Sequence, residues 1–151
     1  MSRTTLLYGC RDSWEWDEMD KSRQTQLEKP MLQTVLFHPN WSNSTAGVRG
    51  TRVLNRQRCY WEITILERVF GTSMMTGIAT KQARVHVDTF KDLLGEDKNS
   101  WGLNHKGFLW HAGEAKRYTE QFKESETTNI RTIEYGFTIN WLGEVWMMTG
   151  T

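Results

Sequence analysis

The stretch Tyr60–Glu67 limits most strongly what this chain can fold into. Trp61, Ile63 and Ile65 alternate there with Glu62 and Thr64, and residues two apart share one face of a strand. The segment therefore predicts a half-buried antiparallel strand, apolar on one face and wet on the other. Ile133, Tyr135, Phe137, Ile139 and Trp141 form a second alternation. Met74–Thr80 is almost entirely apolar or small, as suits a central strand covered on both faces. Trp101 and Leu103 precede the turn Asn104-His105-Lys106-Gly107, and Phe108 and Trp110 follow it, which predicts a hairpin. Met31–Phe37 reads as a short strand stopped at His38-Pro39.

The remaining segments read as turns and loops. Residues 1–30 are polar and turn-rich, with an aromatic patch at Ser13-Trp14-Glu15-Trp16, and Asn40–Gly50 has loop composition. Asp88–Leu94 predicts a single helical turn, with Asp88 as N-cap and Gly95 as C-cap. No internal repeat, heptad or long amphipathic helix occurs. Short strands separated by turn signals indicate an all-β antiparallel sandwich.

A chain of 151 residues has room for one domain and one sizeable core. The net charge of +1 offers no basic field for nucleic acid and no acidic tail. Eight tryptophans are unusual. They fit either a sandwich core or a binding surface, since aromatics dominate the energetics of both. Cys10 and Cys59, the only cysteines, lie in neither CxxC nor CxxH spacing, which predicts reduced thiols rather than a metal site or disulfide. The N-terminus lacks the apolar core of a signal peptide, and no stretch is long enough to cross a bilayer. A cytoplasmic or nuclear protein is expected.

Nothing in the chain demands catalysis. His38, His86, His105 and His111 stand in no spacing that marks a metal site. GxSxG, Walker A and GxGxxG patterns do not occur. Ser73, His111 and Asp97 can be picked out as a Ser/His/Asp set, but any chain this long contains one. No enzyme, cofactor or metal is expected. The loop Asn40–Thr45 admits several readings: two N-glycosylation patterns (idle without secretion), a polar recognition loop around an aromatic anchor, or a plain solvated connector.

Several motifs occur in order. They are Ser44-Thr45 with Val48-Arg49-Gly50, Trp61-Glu62-Ile63, and Gly71-Thr72 followed by Gly77-Ile78-Ala79-Thr80. Leu94-Gly95-Glu96-Asp97, Ser100-Trp101-Gly102-Leu103 and Gly107-Phe108-Leu109-Trp110-His111 complete the set. Together they resemble the SPRY domain of the SPRY-domain SOCS-box proteins over roughly residues 13–128. The resemblance implies a bent antiparallel β-sandwich with a peptide site on loops at one end. It also implies a substrate receptor of a ubiquitin ligase, in which a SOCS box recruits elongins B and C and a cullin.

The family's pocket takes short Asn-containing peptides, and an amide-reading site rejects ligands that leave its donors and acceptors unpaired. Carried onto this chain, the peptide-binding residues are His38, Asn40, Trp41, Ser42, Asn43, Gly71, Thr72, Phe90 and Leu93. The family's first loop has an Arg, a Pro-Val-Ala-Gln run and later a Tyr. His38, Asn40-Trp41-Ser42-Asn43 and Phe90 stand here instead, which implies a different peptide preference.

After Thr128 the sequence departs from the family pattern. The expected organisation is an N-terminal tail (1–12), a SPRY domain (13–128) and a divergent C-terminal tail (129–151) with no SOCS box visible. Ile133–Trp141 supplies at most one substitute strand, so the sandwich is expected to be incomplete at that end. Elongins and a cullin are expected as partners only for a longer form that has the box. The alternative reading is a truncated regulatory or non-functional form. Neither nucleic acid nor membrane is expected as a partner.

Overall fold

A computed structural model describes residues 14–55, 58–66, 73–118, 131–138 and 142–150. Its strands are β1 (Trp16–Lys21), β2 (Thr25–Leu27), β3 (Val35–Phe37), β4 (Thr45–Asn55), β5 (Arg58–Ile65) and β6 (Met74–Ala79). They continue as β7 (His86–Val87), β8 (Ser100–Asn104), β9 (Phe108–His111), β10 (Glu114–Arg117), β11 (Arg131–Thr138) and β12 (Leu142–Gly150). The main sheet runs β1-β4-β12-β6-β8-β9-β10, with β7 also paired to β4. β5 pairs with β11 and β2 with β3, and every ladder is antiparallel. No helix among the described residues is long and apolar enough to cross a membrane.

The chain is all-β, and its sheets share a core. Trp16, Leu27, Val48, Leu54, Ile63, Ile78 and Leu103 pack into one cluster. They come from the main sheet and from both two-stranded sheets, so one face of the main sheet is covered by the smaller sheets. Within β6, Ile78 joins this cluster, while Met75 and Ala79, on the opposite side of the pleat, join Ala83, Leu93 and Leu94 in a second one. β6 is thus buried on both faces, which explains its lack of alternation. Along β5, Ile63 is buried and Thr64 exposed, as the alternation predicts.

The second face of the main sheet is covered by the segment 80–99, which is held down at several points. The Arg49 guanidinium, on β4, reaches Asp20 Oδ1 (2.8 Å) with Nη1. Its Nη2 serves the carbonyls of Thr80 (3.1 Å) and Ala83. A register shift between Trp16 and Lys21 bulges β1 at the stretch that delivers Asp20 to this contact. Further along, Gly95 N donates to Ser100 Oγ (2.8 Å).

The Glu96 carboxylate, nearly buried, takes Arg84 Nε and Nη2 (2.8 and 2.6 Å) and Lys91 Nζ (2.8 Å). The hydrogen bond from Arg84, foremost, and that from Lys91 hold the Glu96 carboxyl below its ordinary value, against the opposing effect of burial. A carboxyl lowered on folding adds stability above its unfolded value of 4.5, and that stability is lost as the pH falls through the lower folded value. Denaturant titrations of the wild type and Glu96→Gln should therefore show a stability gap that is widest at neutral pH and shrinks below pH 4.5. A gap independent of pH would count against this linkage.

Three sequence expectations are corrected. Asn40–Gly50 is not all loop: β4 begins at Thr45, and its residues Thr45–Gly50 are all buried. Pairing on both edges, with β1 and β7 on one side and β12 on the other, makes a strand of a weak β sequence. Asp88–Leu94 forms no helical turn. Its backbone groups bind elsewhere: the Thr89 carbonyl accepts from Thr45 Oγ1 (2.8 Å), and the Lys91 amide donates to the same oxygen (2.9 Å). Only Val35–Phe37 of the Met31–Phe37 run is strand, because Leu32 turns the chain with φ 52°.

Residues 131–138 and 142–150, within the expected tail, lie in the sheets. β11 pairs with β5 along eight residues. β12, for which the sequence suggested no strand, sits between β4 and β6. The expected second strand ends at Thr138, and Trp141 lies outside the described residues, as do Cys10 and the expected tail 1–12.

Candidate functional site

Three segments meet at the start of β4. The loop 38–44 enters it, the segment 86–92 pairs beside it through β7, and the turn Ser22–Gln24 between β1 and β2 abuts both. Thr45 joins the first two. Its hydroxyl donates to the Thr89 carbonyl, lies 3.2 Å from the Lys91 carbonyl and accepts the Lys91 amide. Phe90 is therefore held within a grip centred on Thr45, and Trp41 lies only four residues upstream, within about 14 Å along the chain.

The loop 38–44 is fixed by its polar residues. His38 takes a left-handed backbone (φ 51°), and its amide donates to the Gln24 carbonyl (2.8 Å). Left-handed backbone is costly for a residue with a side chain, all the more so before Pro39. Strain of this kind clusters at functional sites. Ser42 Oγ lies 3.2 Å from His38 Nδ1 and 2.6 Å from Ser44 Oγ, and it accepts the Ser44 amide. These bonds occupy His38 and Ser42 internally. They leave Asn40, Trp41 and Asn43 turned to solvent, Trp41 with 89% of its surface exposed. Across the Thr45 grip, Phe90 is 55% exposed.

Not every residue implied by the resemblance lies at this surface. Leu93 is 2% exposed and packs with Met75, Ala79, Ala83 and Leu94, so it belongs to the core beneath the site. Gly71 and Thr72 lie outside the described residues.

The sequence reading missed a polar chain beside the loops. Ser22 Oγ lies 2.7 Å from His86 Nδ1, and His86 Nε2 lies 3.0 Å from Asp88 Oδ1. Asp88 also takes Arg23 Nη2 at 2.5 Å. A carboxylate only accepts, so Nε2 carries a proton, and in the neutral ring Nδ1 then accepts from the Ser22 hydroxyl. The His86 hydrogen bond, foremost, and the Arg23 charge hold the Asp88 carboxyl below the ordinary carboxylate range. The contacts from Ser22 and Arg23 join residues 64 and 65 positions apart. Local pattern carries no sign of them, and Asp88 resembled a helix cap.

A serine, a histidine and an aspartate in sequence suggest hydrolysis, but the burial opposes it. Ser22 is 1% exposed and its oxygen already accepts the Gln24 amide (3.1 Å), so no substrate carbonyl can reach it. Among the described residues no group of three or more His, Cys, Asp or Glu is placed to hold a metal ion. The arrangement is one of two exposed aromatics, Trp41 and Phe90, on segments held down by His38, Ser42, Ser44 and Thr45.

Residues 58–131 match the SPRY domain family. The chain is 36% identical over 119 residues to SPRY domain-containing SOCS box protein 3 of Xenopus tropicalis, covering 78% of this chain and 33% of that protein. It is 41% identical over 89 residues to F-box/SPRY domain-containing protein 1 of Caenorhabditis elegans, covering 59% of this chain and 26% of that protein. The chain thus spans about a third or less of the length of these relatives. Among solved structures, the TRIM65 PSpry domain superposes with a TM-score of 0.57 over 91% of this chain and 84% of that one. At 17% identity that likeness concerns the fold alone.

Proposed function

Because the chain belongs to the SPRY domain family of protein-binding modules, we propose that it captures short Asn-containing peptides on the surface formed by the loops 38–44 and 86–92. The observation that carries this reading is Trp41, 89% exposed on a loop whose His38, Ser42 and Ser44 are tied down. A large aromatic held in water costs solvation and is recovered when a partner covers it. Phe90 adds a second apolar contact, and the Asn40 and Asn43 amides supply adaptable hydrogen bonds. Gly71 and Thr72 complete the proposed site by resemblance to the family.

The proposed setting is the cytoplasm or nucleus, with the module serving as the substrate-recognition part of a ubiquitin ligase. Recruitment of elongins B and C and a cullin is proposed only for a longer form with a SOCS box.

Calorimetric titration of an Asn-containing peptide should give binding that Trp41→Ala weakens by about tenfold, a typical loss for an aromatic anchor. The melting temperature should stay within about 1 °C of the wild type, since an exposed ring contributes little to stability. Thr72→Ala should weaken the same binding. Equal affinities for the wild type and Trp41→Ala would remove Trp41 from the site.

A further inference from the structure

Resting on that reading, we propose that the Ser22–Gln24 turn, acting through His86, is the positioning element that sets the two binding loops relative to each other. The turn itself is anchored to the main sheet. Ser22 N donates to the Gly47 carbonyl (2.8 Å), and Thr25 Oγ1 donates to the Ser22 carbonyl (2.7 Å). From this anchor it reaches both loops. The Gln24 carbonyl holds His38, the first residue of the loop 38–44. Ser22 Oγ holds His86, and Arg23 holds Asp88, two residues before Phe90.

The chain of hydrogen bonds has one sense. Buried Ser22 has no water to fall back on, and its oxygen already receives the Gln24 amide. Its single O–H is therefore directed to His86 Nδ1, which leaves the ring proton on Nε2, facing Asp88. Ser22 Oγ, both His86 ring nitrogens and Asp88 Oδ1 each have a counterpart, so each bond polarises the next and the ring is held in one orientation. β7 adds backbone pairing of His86 with Ala46, and the Thr45 grip follows at once. The imidazole thus fixes where the 86–90 segment leaves the sheet, and the same turn fixes where the 38–44 loop begins. A surface held in shape before its ligand arrives loses less freedom on binding. His86 and Ser22 are positioning residues and make no proposed contact with the peptide.

The test uses His86→Leu, His86→Gln and Ser22→Ala in the full chain, read by NMR and by titration with an Asn-containing peptide. In the wild type the imidazole nitrogen shifts of His86 should report the Nε2–H tautomer, and Ser22→Ala should mix the tautomers. His86→Leu should move the amide resonances of Asp88–Lys91 and, through the turn, those of His38–Asn43. It should weaken the peptide about five- to tenfold at temperatures where the variant is fully folded. His86→Gln, which keeps an acceptor and a donor, should recover most of that loss.

Unmoved His38–Asn43 resonances in His86→Leu would overturn the inference, whether or not any peptide binds. If the wild type binds and Trp41→Ala weakens it while His86→Leu leaves affinity intact, this inference alone fails. A wild type that takes no peptide removes the functional reading and leaves the loop coupling to be decided by the resonances.

Discussion

Replacing Arg49 with leucine is expected to cost about 3–5 kcal/mol of stability, the range found when one partner of a buried ionic contact is removed. For a chain of this size that corresponds to a fall in melting temperature of roughly 10 °C. The size of the effect follows from what the guanidinium serves. Its side chain is 3% exposed, and it caps the carbonyls of Thr80 and Ala83 while pairing with Asp20. Leucine would fill much of the space but take the Arg49 donor from the Ala83 carbonyl and leave the Thr80 carbonyl with only the Ala83 amide (3.2 Å). The segment 80–83 would lift from β4, loosening the cover over Met75 and Ala79. Arg49→Lys should recover only part of the loss, because a single ammonium lacks the fork that reaches a carboxylate and two carbonyls together. Asp20→Asn should cost about 1 kcal/mol or less, since Asp20 is partly exposed and an amide oxygen can still accept. Denaturant melts of the three variants give the ordering. Equal losses for Arg49→Leu and Asp20→Asn would show that the ion pair, and not the carbonyl capping, is the important contact.

Gly95→Ala is the second large effect, expected at about 2–4 kcal/mol. Two penalties combine at this position. Its φ of 79° is left-handed, which an L side chain adopts at a cost of about 1–2 kcal/mol. A Cβ there would also press into the Trp110 backbone and side chain, and such overpacking costs about 1–3 kcal/mol. Relief by local shift is blocked, because Gly95 N is bound to Ser100 Oγ and its carbonyl accepts the Gly113 amide (2.8 Å). Gly113→Ala separates the two penalties. Gly113 has nearly the same φ, 78°, but a Cβ there would meet only the Glu96 carbonyl at 3.5 Å, an ordinary contact. That variant should lose about 1 kcal/mol. If the two variants melt together, the close approach of Trp110 contributes nothing.

The strands that sequence reveals are those whose two faces differ, whose turns carry a signature, or which, like β6, are apolar or small almost throughout. β5 shows its alternation because Ile63 is buried and Thr64 is wet. The β8–β9 hairpin shows its turn because Asn104 Oδ1 accepts the amides of Lys106 (3.1 Å) and Phe108 (2.9 Å) around Gly107. β4 gives no such sign. Its first six residues, Thr45–Gly50, are all buried and include an arginine whose partners lie 29 to 34 positions away. The segment 88–94 misleads for a related reason. Asp88 and Gly95 have the chemistry of helix caps, but the backbone between them is claimed by Thr45, which no local window contains.

The candidate site divides along the same line. Trp41 and Phe90 could be named from sequence because an aromatic in a polar loop is visible as composition, and the family resemblance gave them a role. Leu93, three residues from Phe90, could not be separated from it, since burial is a property of the folded surface and not of the residue type. The sequence by itself determined an all-β chain of SPRY type and the loops that carry its exposed aromatics. Only the tertiary structure decided that Thr45 and the Ser22–Gln24 turn hold those loops. The alternation of a strand is encoded every second residue, whereas a hydrogen bond between Ser22 and His86 exists only once β1, β4 and β7 lie side by side.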